Sequence, residues 1–293
     1  MSDQRRRARA FAELHRGPEI LVLPNAWDAF SAILLEQAGF AAIGTTSAGV
    51  AAMLGYRDAE EVPVAELVAV LRRMVERVKI PVSADIEGGY GATPAAVGET
   101  VRRVVATGVV GINLEDARGE DGSLRPLDEQ LRRLEAARRA AEAEGVELFI
   151  NARTDVYWRG MGPAETRLPR ALERVRAFRE AGADGVFVPG VTAADEIRAL
   201  AGAVDAPLNV LAGPGTPPVA ELQALGVARV SLGSGPFRAL AGRLRAIAAE
   251  VKGHGTFHGL MDGAVPYDEM QALLARAREG ERNARAASPH AEP

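Results

Sequence analysis

The stretch PVSADIEGGYGATPAAVGETVRRVVATG, Pro81 to Gly108, predicts one strand followed by one helix. Its first residues, PVSA, form a short apolar run of the kind found in strands that are covered on both faces. Thr93-Pro94 is typical of an N-cap followed by a first-turn proline, and the valines after it recur on one helical face. Gly108 is the expected end of this helix. The unit is therefore a strand, a glycine-rich turn and a helix.

The same unit recurs along the chain. The apolar runs that predict strands are ILVL (20–23), AAIG (41–44), PVSA (81–84), VGINL (110–114), ELFIN (147–151), GVFV (185–188), PLNVL (207–211) and ARVSL (228–232). Helical patterns lie between them. Eight strands alternating with helices indicate an α/β fold, a (β/α)8 barrel of the TIM type. A doubly wound open sheet is the alternative, but it does not require eight similar units.

The predicted barrel has additions at both ends. We expect residues 1–251 to form the barrel with an N-terminal helix, 252–280 a C-terminal helical extension, and 281–293 a disordered tail. The last barrel helix sets Phe237, Leu240, Leu244, Ile247 and Val251 on one face. Three long connections, 45–62, 117–126 and 154–168, should lie at the C-terminal face, where barrel enzymes build their active sites.

Composition limits the function classes. The chain of 293 residues carries 35 Lys and Arg against 39 Asp and Glu, so nucleic acid and anionic membranes are not expected partners. It contains no cysteine, which rules out disulfides and thiolate chemistry and fits a cytoplasmic enzyme. The basic residues near the start are not followed by an apolar run, so no signal peptide is expected.

Polar side chains collect where the predicted strands end. They are Asn25, Asp28, Thr46, Ser47, Asp85, Glu87, Asn113, Glu115, Asp116, Asn151, Arg153, Asp155, Asn209, Ser231 and Ser234. Any one of them could be a helix cap or a turn residue. Because all of these strand ends meet at one face of a barrel, together they predict an active site there.

Asp85 and Glu87 are spaced so that both carboxylates can face the same point. Two carboxylates that close need a cation or a shared proton, and Mg²⁺ prefers oxygen ligands, with Mn²⁺ as the alternative ion. Glu115 could join them as a water-mediated ligand. Arg153 is suited to bidentate capture of a substrate carboxylate or phosphonate, although it could equally pair with an acid at the barrel rim. The residues predict an oxygen-ligated metal beside a guanidinium.

Other catalytic groups are absent from the predicted barrel mouth. The four histidines, at positions 15, 254, 258 and 290, fall outside the eight units, and Lys79 and Lys252 are the only lysines. This excludes a Ser–His–Asp arrangement inside the barrel and disfavours Schiff-base chemistry. Metal-assisted polarisation of an oxygen function, with an enolate stabilised by Mg²⁺ and Arg153, remains.

Ordered motifs from about Phe11 to Lys252 carry a family resemblance. They are LPNAWDAFSA (23–32), TTSAGVAAMLGYRD (45–58), SADIEGGYG (83–91), GINLEDA (111–117), INARTDV (150–156), GADGVFVPG (182–190) and GVARVSLGS (226–234). With these motifs at matching strand ends, the sequence resembles the isocitrate lyase and phosphoenolpyruvate mutase superfamily. The resemblance implies a (β/α)8 barrel whose eighth helix is exchanged between subunits, and hence a homodimer or homotetramer.

The resemblance also implies roles for individual residues. Thr46, Ser47 and Gly49 match the loop that binds a substrate carboxylate or phosphonate. Asp85 and Glu87 match the Mg²⁺ pair, and Glu115 matches an outer-shell metal group. Arg153 and Asn209 match substrate-binding positions. Asp58 matches an acid near substrate and metal, and either Asp58 or Tyr90 is expected to move a proton.

Two departures from the family pattern bear on the reaction. The second metal acid of the family is usually Asp, whereas Glu87 is one methylene longer. The family lid carries Cys and His in lyases, or Lys and an Asn-Ser pair in mutases, but this chain has EDARGEDGSLRP (115–126) instead. The lid residues left as candidates are Arg118, Glu120, Asp121, Ser123 and Arg125.

Three functions are compatible with these residues. The first is a Mg²⁺-dependent lyase that cleaves a C–C bond of a small 2-hydroxy or 2-oxo (di)carboxylate, as isocitrate and 2-methylisocitrate lyases do. The second is P–C bond chemistry, as in phosphoenolpyruvate mutase or phosphonopyruvate hydrolase. The third is a ligand-binding protein that has kept the fold and lost turnover.

Overall fold

The computed structural model describes residues 3–118 and 123–275, and within them one sheet of parallel strands forms a nearly closed barrel. The strands are β1 Leu21–Leu23, β2 Asn25–Ala26, β3 Ile43–Thr45, β4 Val82–Asp85, β5 Gly111–Glu115, β6 Phe149–Arg153, β7 Gly185–Phe187, β8 Leu208–Leu211 and β9 Arg229–Ser231. Their order is β1-β9-β8-β7-β6-β5-β4-β3-β2. The predicted (β/α)8 fold is confirmed.

Helices surround this sheet. They are α1 Asp3–Leu14, α2 Ala29–Gln37, α3 Ser47–Leu54, α4 Val64–Arg77, α5 Pro94–Val105, α6 Leu127–Ala143, α7 Ala164–Glu180, α8 Ala194–Ala203, α9 Val219–Ala224, α10 Gly235–His254 and α11 His258–Met261. Residues 267–275 are also helical.

Pro24 explains why the described sheet has one more strand than the sequence predicts. It has no N–H to donate, so the first barrel strand is interrupted there. The half before it, β1, pairs with β9, and the half after it, β2, pairs with β3. The side chain of Asn25 spans the join, because Nδ2 donates to the Thr45 carbonyl at 2.7 Å and Oδ1 accepts from the Gly233 N–H at 2.8 Å. The side-chain amide of Asn25 thus supplies hydrogen bonds to the backbone on both sides of the point where the strand is interrupted.

The unit predicted from Pro81 to Gly108 folds as expected into β4 and α5. Thr93 caps α5 by accepting a hydrogen bond from the Ala96 N–H at 3.2 Å, and Gly108 has φ +97°. The valines at 97, 101, 104 and 105 are buried in the core. Each buried valine contributes about 1.5–3 kcal/mol of hydrophobic stabilisation, so this face fixes the helix against the barrel.

Strand register sets which interior side chains meet. Asp85 lies opposite Asn113 across β4 and β5, Asn113 lies opposite Asn151, and Glu115 lies opposite Arg153. Since alternate residues of a strand face the same side, the polar residues of these strands project together into the barrel. The apolar side chains between them face the helices.

The long connections differ in part from the predictions. The first contains a helix, α3, and the second forms an antiparallel bridge between Ala117 and Leu124. The predicted end of the third, at position 168, was wrong, because α7 begins at Ala164 and includes Pro169. A proline in the second turn removes only one intrahelical hydrogen bond, so the helix continues through it.

The C-terminal helix leaves the barrel. Helix α10 has no buried residue, and Leu244 keeps 67% of its surface exposed. Of the apolar face predicted for this helix, Leu240, Leu244 and Val251 are exposed within the single chain, whereas Phe237 and Ile247 are partly buried. Exchange of the helix between subunits stays a prediction. The predicted tail, 281–293, lies outside the described residues, and no helix of the described part is long and apolar enough to cross a bilayer.

Candidate active site

A cavity of about 450 Å³ opens at the C-terminal end of the barrel. Its walls are formed by Ser47, Arg57, Asp58, Ala59, Glu60, Glu87, Gly88, Glu115, Ala117, Arg153, Trp158 and Arg159. Five of the predicted site residues line it: Ser47, Asp58, Glu87, Glu115 and Arg153. The sequence did not predict that Trp158 and Arg159 would reach the cavity.

Asp85 lies beneath this cavity at the end of β4 and is buried. Its own N–H donates to Thr45 Oγ1 at 2.8 Å, which fixes the backbone. Within the described residues the carboxylate accepts two long hydrogen bonds, from the Glu87 N–H at 3.3 Å and the Ser47 N–H at 3.4 Å. Asp85 therefore retains the capacity to accept a further donor or to ligate a cation.

The N-terminus of α3 brings backbone N–H groups to the same point. Thr46 caps the helix by accepting from the Gly49 N–H at 3.4 Å, and both residues are buried. A Cβ on Gly49 would lie 2.6 Å from Thr46 Cγ2, so glycine is required for this tight packing. Ser47 follows as the first helical residue and faces the cavity. Helix N-termini favour anions, which supports the predicted role of this loop.

Arg153 is held by two carboxylates. Its Nη1 lies 2.8 Å from Glu115 Oε2, and its Nε and Nη2 donate to Asp155 at 2.6 and 3.0 Å. The guanidinium also lies 5.6 Å from the centre of the Phe187 ring. Burial alone lowers the pKa of Arg153, but Glu115 and Asp155 outweigh it and raise that pKa. Arg153 is thus permanently charged, and it both lines the cavity and pairs with acids.

Asp155 was not assigned a role from the sequence. It is fully buried and orients Arg153, while Asp116 accepts from the Asp155 N–H at 2.9 Å and is paired with Arg174 at 3.0 Å. The signal for it was the i, i+2 spacing of Arg153 and Asp155, which places both side chains on one side of the strand end. Asp155 therefore orients the Arg153 guanidinium directly, and Asp116 fixes the backbone of Asp155.

Glu87 turns its carboxylate toward a neighbouring loop. Oε2 accepts from the N–H groups of Ala59 and Glu60, each at 2.8 Å, and Oε1 accepts from the Tyr90 hydroxyl at 2.6 Å. Burial raises the pKa of Glu87 to about 7, with a further contribution from Asp58. Burial, followed by the Glu87 charge, raises the pKa of Tyr90. The predicted metal-binding role of Glu87 and the catalytic role of Tyr90 stay predictions.

Asp58 lies at the mouth of the cavity. The residue is exposed, yet loss of water around its carboxylate raises its pKa, and the nearby Asp85 charge raises it further. A hydrogen bond from Ser47 and the Arg153 charge oppose this shift. The pKa of Asp58 is therefore raised above its ordinary value, which makes this carboxyl group a better candidate for proton transfer.

The cavity walls carry more acids than arginines: Asp58, Glu60, Glu87 and Glu115 against Arg57, Arg153 and Arg159. Burial is the first cause of the raised pKa of Glu115, and the Asp85 and Glu87 charges add to it against the opposing Arg153 charge. Acid neighbours likewise raise the pKa values of Asp58 and Glu87. Across residues 3–118 and 123–275, no three acidic or imidazole groups converge to form a metal cage. The donors fit Mg²⁺, which commonly uses one or two carboxylates plus water and substrate oxygens.

A polar floor underlies the acids. Asn209 does not line the cavity, and its Nδ2 instead donates to Ser231 Oγ at 3.1 Å. Arg229, whose side chain is fully buried, donates to Ser231 Oγ at 3.2 Å and to Asn113 Oδ1 at 3.3 Å. Burial lowers the pKa of Arg229 to about 9, while the Asp85 charge acts in the opposite direction. The proposed substrate contact of Asn209 would require a change in this network.

Arginines from the following unit hold the turn 88–91. Arg133 Nη1 donates to the carbonyls of Gly88 and Gly91 at 3.1 and 2.8 Å. A Cβ on Gly88 would lie 2.6 Å from the guanidinium of Arg125, which is buried. Arg125 also donates to the Ala117 carbonyl. This predicted lid residue therefore has a structural contact with the turn.

The other lid candidates lie around the bridge. The Arg118 N–H donates to the Ser123 carbonyl at 2.7 Å, and the Arg118 side chain lies 2.9 Å from Glu129. Glu120 and Asp121 fall outside the described residues. Neither histidine nor lysine appears among the residues that line the cavity in the described part of the chain.

This arrangement of residues agrees with one family. The family model described as phosphoenolpyruvate phosphomutase matches residues 11–252. The chain belongs to the phosphoenolpyruvate mutase and isocitrate lyase superfamily.

Three members of this superfamily illustrate how similar the chain is to known proteins. An uncharacterized protein of Mycobacterium tuberculosis (strain H37Rv) is 37% identical over 267 residues, which are 90% of this chain and 96% of the relative. A solved structure from Burkholderia cenocepacia J2315, assigned only provisionally as a lyase or mutase, is 39% identical with a TM-score of 0.87 and covers 94% of this chain and 98% of its own. The 2-methylisocitrate lyase of Bacillus subtilis is 30% identical over 214 residues, 71% of this chain and 67% of that enzyme.

Proposed function

We propose that the protein is a Mg²⁺-dependent lyase that cleaves a C–C bond of a small 2-hydroxy or 2-oxo dicarboxylate through a stabilised enolate. The observation that carries this proposal is the Asp85 carboxylate, which accepts a long hydrogen bond from the Ser47 N–H at the start of α3 and whose charge acts on the Arg153 guanidinium, in a site with excess acid. Similarity to the 2-methylisocitrate lyase of Bacillus subtilis supports the reaction class. Superfamily membership supports catalysis of this general type.

Asp85 would hold the metal directly, with Glu115 placed to act through water. When bound, Mg²⁺ polarises the substrate 2-oxygen and offsets the negative charge that develops on the enolate. The Ser47 N–H and the α3 N-terminus would bind one carboxylate of the substrate. Arg153 would donate its remaining N–H groups to an anionic oxygen, in an orientation that Asp155 fixes.

Cleavage of a 2-hydroxy acid removes the hydroxyl proton, makes C2 a carbonyl, and leaves the electron pair of the broken C2–C3 bond on the departing carbon. That carbon must then take up a proton. Asp58 lines the cavity and has a raised pKa, so we assign it both transfers: its carboxylate takes the hydroxyl proton and then returns a proton to the departing carbon. Tyr90 is the alternative, although its hydroxyl already donates to Glu87.

The cavity favours a substrate with a second anionic group. Arg57 and Arg159 line its mouth in addition to Arg153, and they pair with Glu61 at 2.5 Å and with Asp155 at 3.7 Å. The volume of about 450 Å³ exceeds what pyruvate alone would fill. These features support a dicarboxylate over a monocarboxylate.

P–C bond chemistry is the second candidate. The α3 N-terminus and the Arg153 guanidinium suit a phosphonate as well as a carboxylate. The family model that matches residues 11–252 carries the description phosphoenolpyruvate phosphomutase, and this supports the alternative.

A substrate panel tests both candidates. The protein is incubated with 2-hydroxy, 2-oxo and phosphono acids, with Mg²⁺ or EDTA, and release of pyruvate or glyoxylate is followed by coupled reduction. We expect Mg²⁺-dependent release from a dicarboxylate, and loss of at least 100-fold in kcat/KM in Asp85→Asn. Activity on phosphonopyruvate alone would favour the second candidate. Ligand-induced thermal stabilisation without any product would instead indicate a binding protein.

The proposal includes a homo-oligomer in the cytoplasm. The uncovered apolar face of α10 supports assembly through this helix. The absence of cysteine supports the cytoplasmic location.

A further inference from the structure

Glu87 joins two segments that are far apart in sequence. One is the loop 55–63, which connects α3 to α4 and carries Asp58. The other is the segment 87–90, which follows β4 and overlaps the turn 88–91. Both carboxylate oxygens of Glu87 are used in this junction, Oε2 by two loop N–H groups at 2.8 Å and Oε1 by the Tyr90 hydroxyl at 2.6 Å.

A second carboxylate completes the junction in the opposite direction. Glu60, from the loop, accepts a hydrogen bond from the Tyr90 N–H at 2.5 Å. Each segment therefore supplies one acid to the backbone of the other. Arg125 lies 3.9 Å from Glu60 and contributes a positive charge beside the pair.

Backbone strain is concentrated at the same junction. In the described residues, the non-glycine residues with positive φ are Ala59 at 89°, Glu60 at 63°, Glu87 at 50° and Tyr90 at 53°. Such conformations are costly for residues with a Cβ and persist only where the surroundings hold them. At Ala59 and Glu60 they direct two consecutive N–H groups at one oxygen, which is a backbone anion site. The Glu87 carboxylate is its occupant.

The length of the side chain decides whether this contact can form. An aspartate at position 87 would withdraw the carboxylate by one C–C bond, about 1.5 Å. Contacts at 2.8 Å would then become too long to be hydrogen bonds unless the loop moved. The extra methylene of Glu87 therefore accounts for the docked position of the loop.

We propose that Glu87 is a positioning residue that holds the loop 55–63 against strand β4 and thereby places Asp58 at the cavity mouth, and that it is not a direct metal ligand. The role assigned to Asp58 rests on the proposed lyase function, whereas the loop contact does not. The metal would then depend on Asp85, with its weakly engaged carboxylate.

The first test measures the loop without substrate or metal. Amide hydrogen exchange of residues 57–63 is compared by mass spectrometry in the parent, Glu87→Asp, Glu87→Gln and Tyr90→Phe. We expect at least tenfold faster exchange in Glu87→Asp and Glu87→Gln, and a smaller increase in Tyr90→Phe, which keeps the two loop N–H contacts. Glu36→Gln is the matched control, because Glu36 Oε1 also accepts from two consecutive backbone N–H groups, those of Lys79 and Ile80 at 2.6 and 3.1 Å, which lie outside the loop 55–63. Unchanged exchange in all the Glu87 variants would overturn the proposal.

The second test measures binding of Mn²⁺ alone by electron paramagnetic resonance. A direct ligand should lose at least tenfold in affinity on conversion to its amide, as we expect for Asp85→Asn. Glu87→Gln should stay within about threefold of the parent. An equal loss in both variants would overturn the assignment of Glu87 as a positioning residue. If Glu87→Asp does not fold, Tyr90→Phe and Glu87→Gln still decide the outcome.

Turnover adds a readout that separates the two proposals. On an active substrate, Glu87→Asp should lower kcat more than tenfold while KM changes less than threefold, because Asp58 is displaced and the anion contacts remain. Failure to find any substrate would count against the proposed lyase function. The contact between Glu87 and the loop 55–63 would still be tested by the hydrogen-exchange and Mn²⁺-binding measurements.

Discussion

Arg153 shows how one residue can meet two requirements at once. Its planar guanidinium binds Asp155 through two nitrogens and Glu115 through the third, yet it remains part of the cavity wall. A lysine could not reproduce this geometry, because an ammonium group is a point charge without a fork of donors. The pairing with two acids therefore orients the group that would bind substrate.

Arg153→Lys should consequently lose more in catalysis than in folding. We expect kcat/KM for an active substrate to fall by at least about 100-fold, mainly through KM, since the anion loses bidentate binding. Steady-state kinetics with Mg²⁺ in excess check this. Arg159→Lys, which also lines the cavity, is the comparison and should lose less. An unchanged kcat/KM in Arg153→Lys would show that the positive charge alone matters.

His15 provides a prediction at the opposite end of the barrel. Its ring stacks on Phe149 at 4.0 Å between centroids, and its Nδ1 lies 2.7 Å from the Phe11 carbonyl. Burial, followed by the Arg229 charge, lowers the pKa of His15 to about 3. The unfolded chain therefore binds a proton below the ordinary value of about 6.5 that the folded chain does not.

The sign of the resulting pH effect follows from linkage. Stability from neutral His15 is fully present above about pH 6.5 and is lost as the pH falls toward 3, by about 1.4 kcal/mol per unit. We expect the free energy of unfolding to fall by about 2 kcal/mol more in the parent than in His15→Phe between pH 6.5 and 5. Urea unfolding of both proteins at the two pH values measures this. Equal losses would contradict this prediction, because they would mean that His15 binds its proton equally well in the folded and unfolded chains.

Individual elements were predictable to the extent that local signals decide them. The Thr93-Pro94 cap, the valine spacing and Gly108 define α5 without tertiary information. Proline was less predictable, because its effect depends on what the neighbouring backbone does. Pro24 divides a strand between two partners, whereas Pro169 lies inside a helix that continues.

Gly91 tests the packing between the turn and α5. A Cβ at this position would lie 2.8 Å from the Val97 backbone nitrogen and 2.9 Å from the Ala96 carbonyl carbon. Backbone cannot move aside as a side-chain tip can, so Gly91→Ala should lower the free energy of unfolding by about 1–3 kcal/mol. Urea denaturation measures the change. The control is Gly202→Ala in α8, which has open space and should gain about 0.5–1 kcal/mol.

At the scale of the whole molecule, barrel closure decides which polar groups meet. The sequence placed Glu115 and Arg153 at strand ends, and the register then brings them opposite each other. The sequence alone could not reveal that Glu87 would bind the loop 55–63, because that contact depends on the path of a connection with no repeating pattern. Arg229 was hidden for a related reason: a lone arginine in an apolar run gives no local sign that it will lie under the site.

Helix α10 extends the same argument beyond one chain. Its start is held by the contact of Phe237 with Trp27, at 5.3 Å between ring centroids, while Leu240 and Leu244 remain 58% and 67% exposed. Exposed apolar side chains of this kind are unfavourable in water and usually belong to an interface.

We therefore expect the protein to be a homodimer or homotetramer at micromolar concentration by light scattering. Leu240→Glu with Leu244→Glu should shift it to monomer, because each buried leucine contributes about 1.5–3 kcal/mol. Arg238→Glu, which alters charge on the same helix without touching these leucines, should leave the assembly intact, and a monomeric parent would contradict the role of α10.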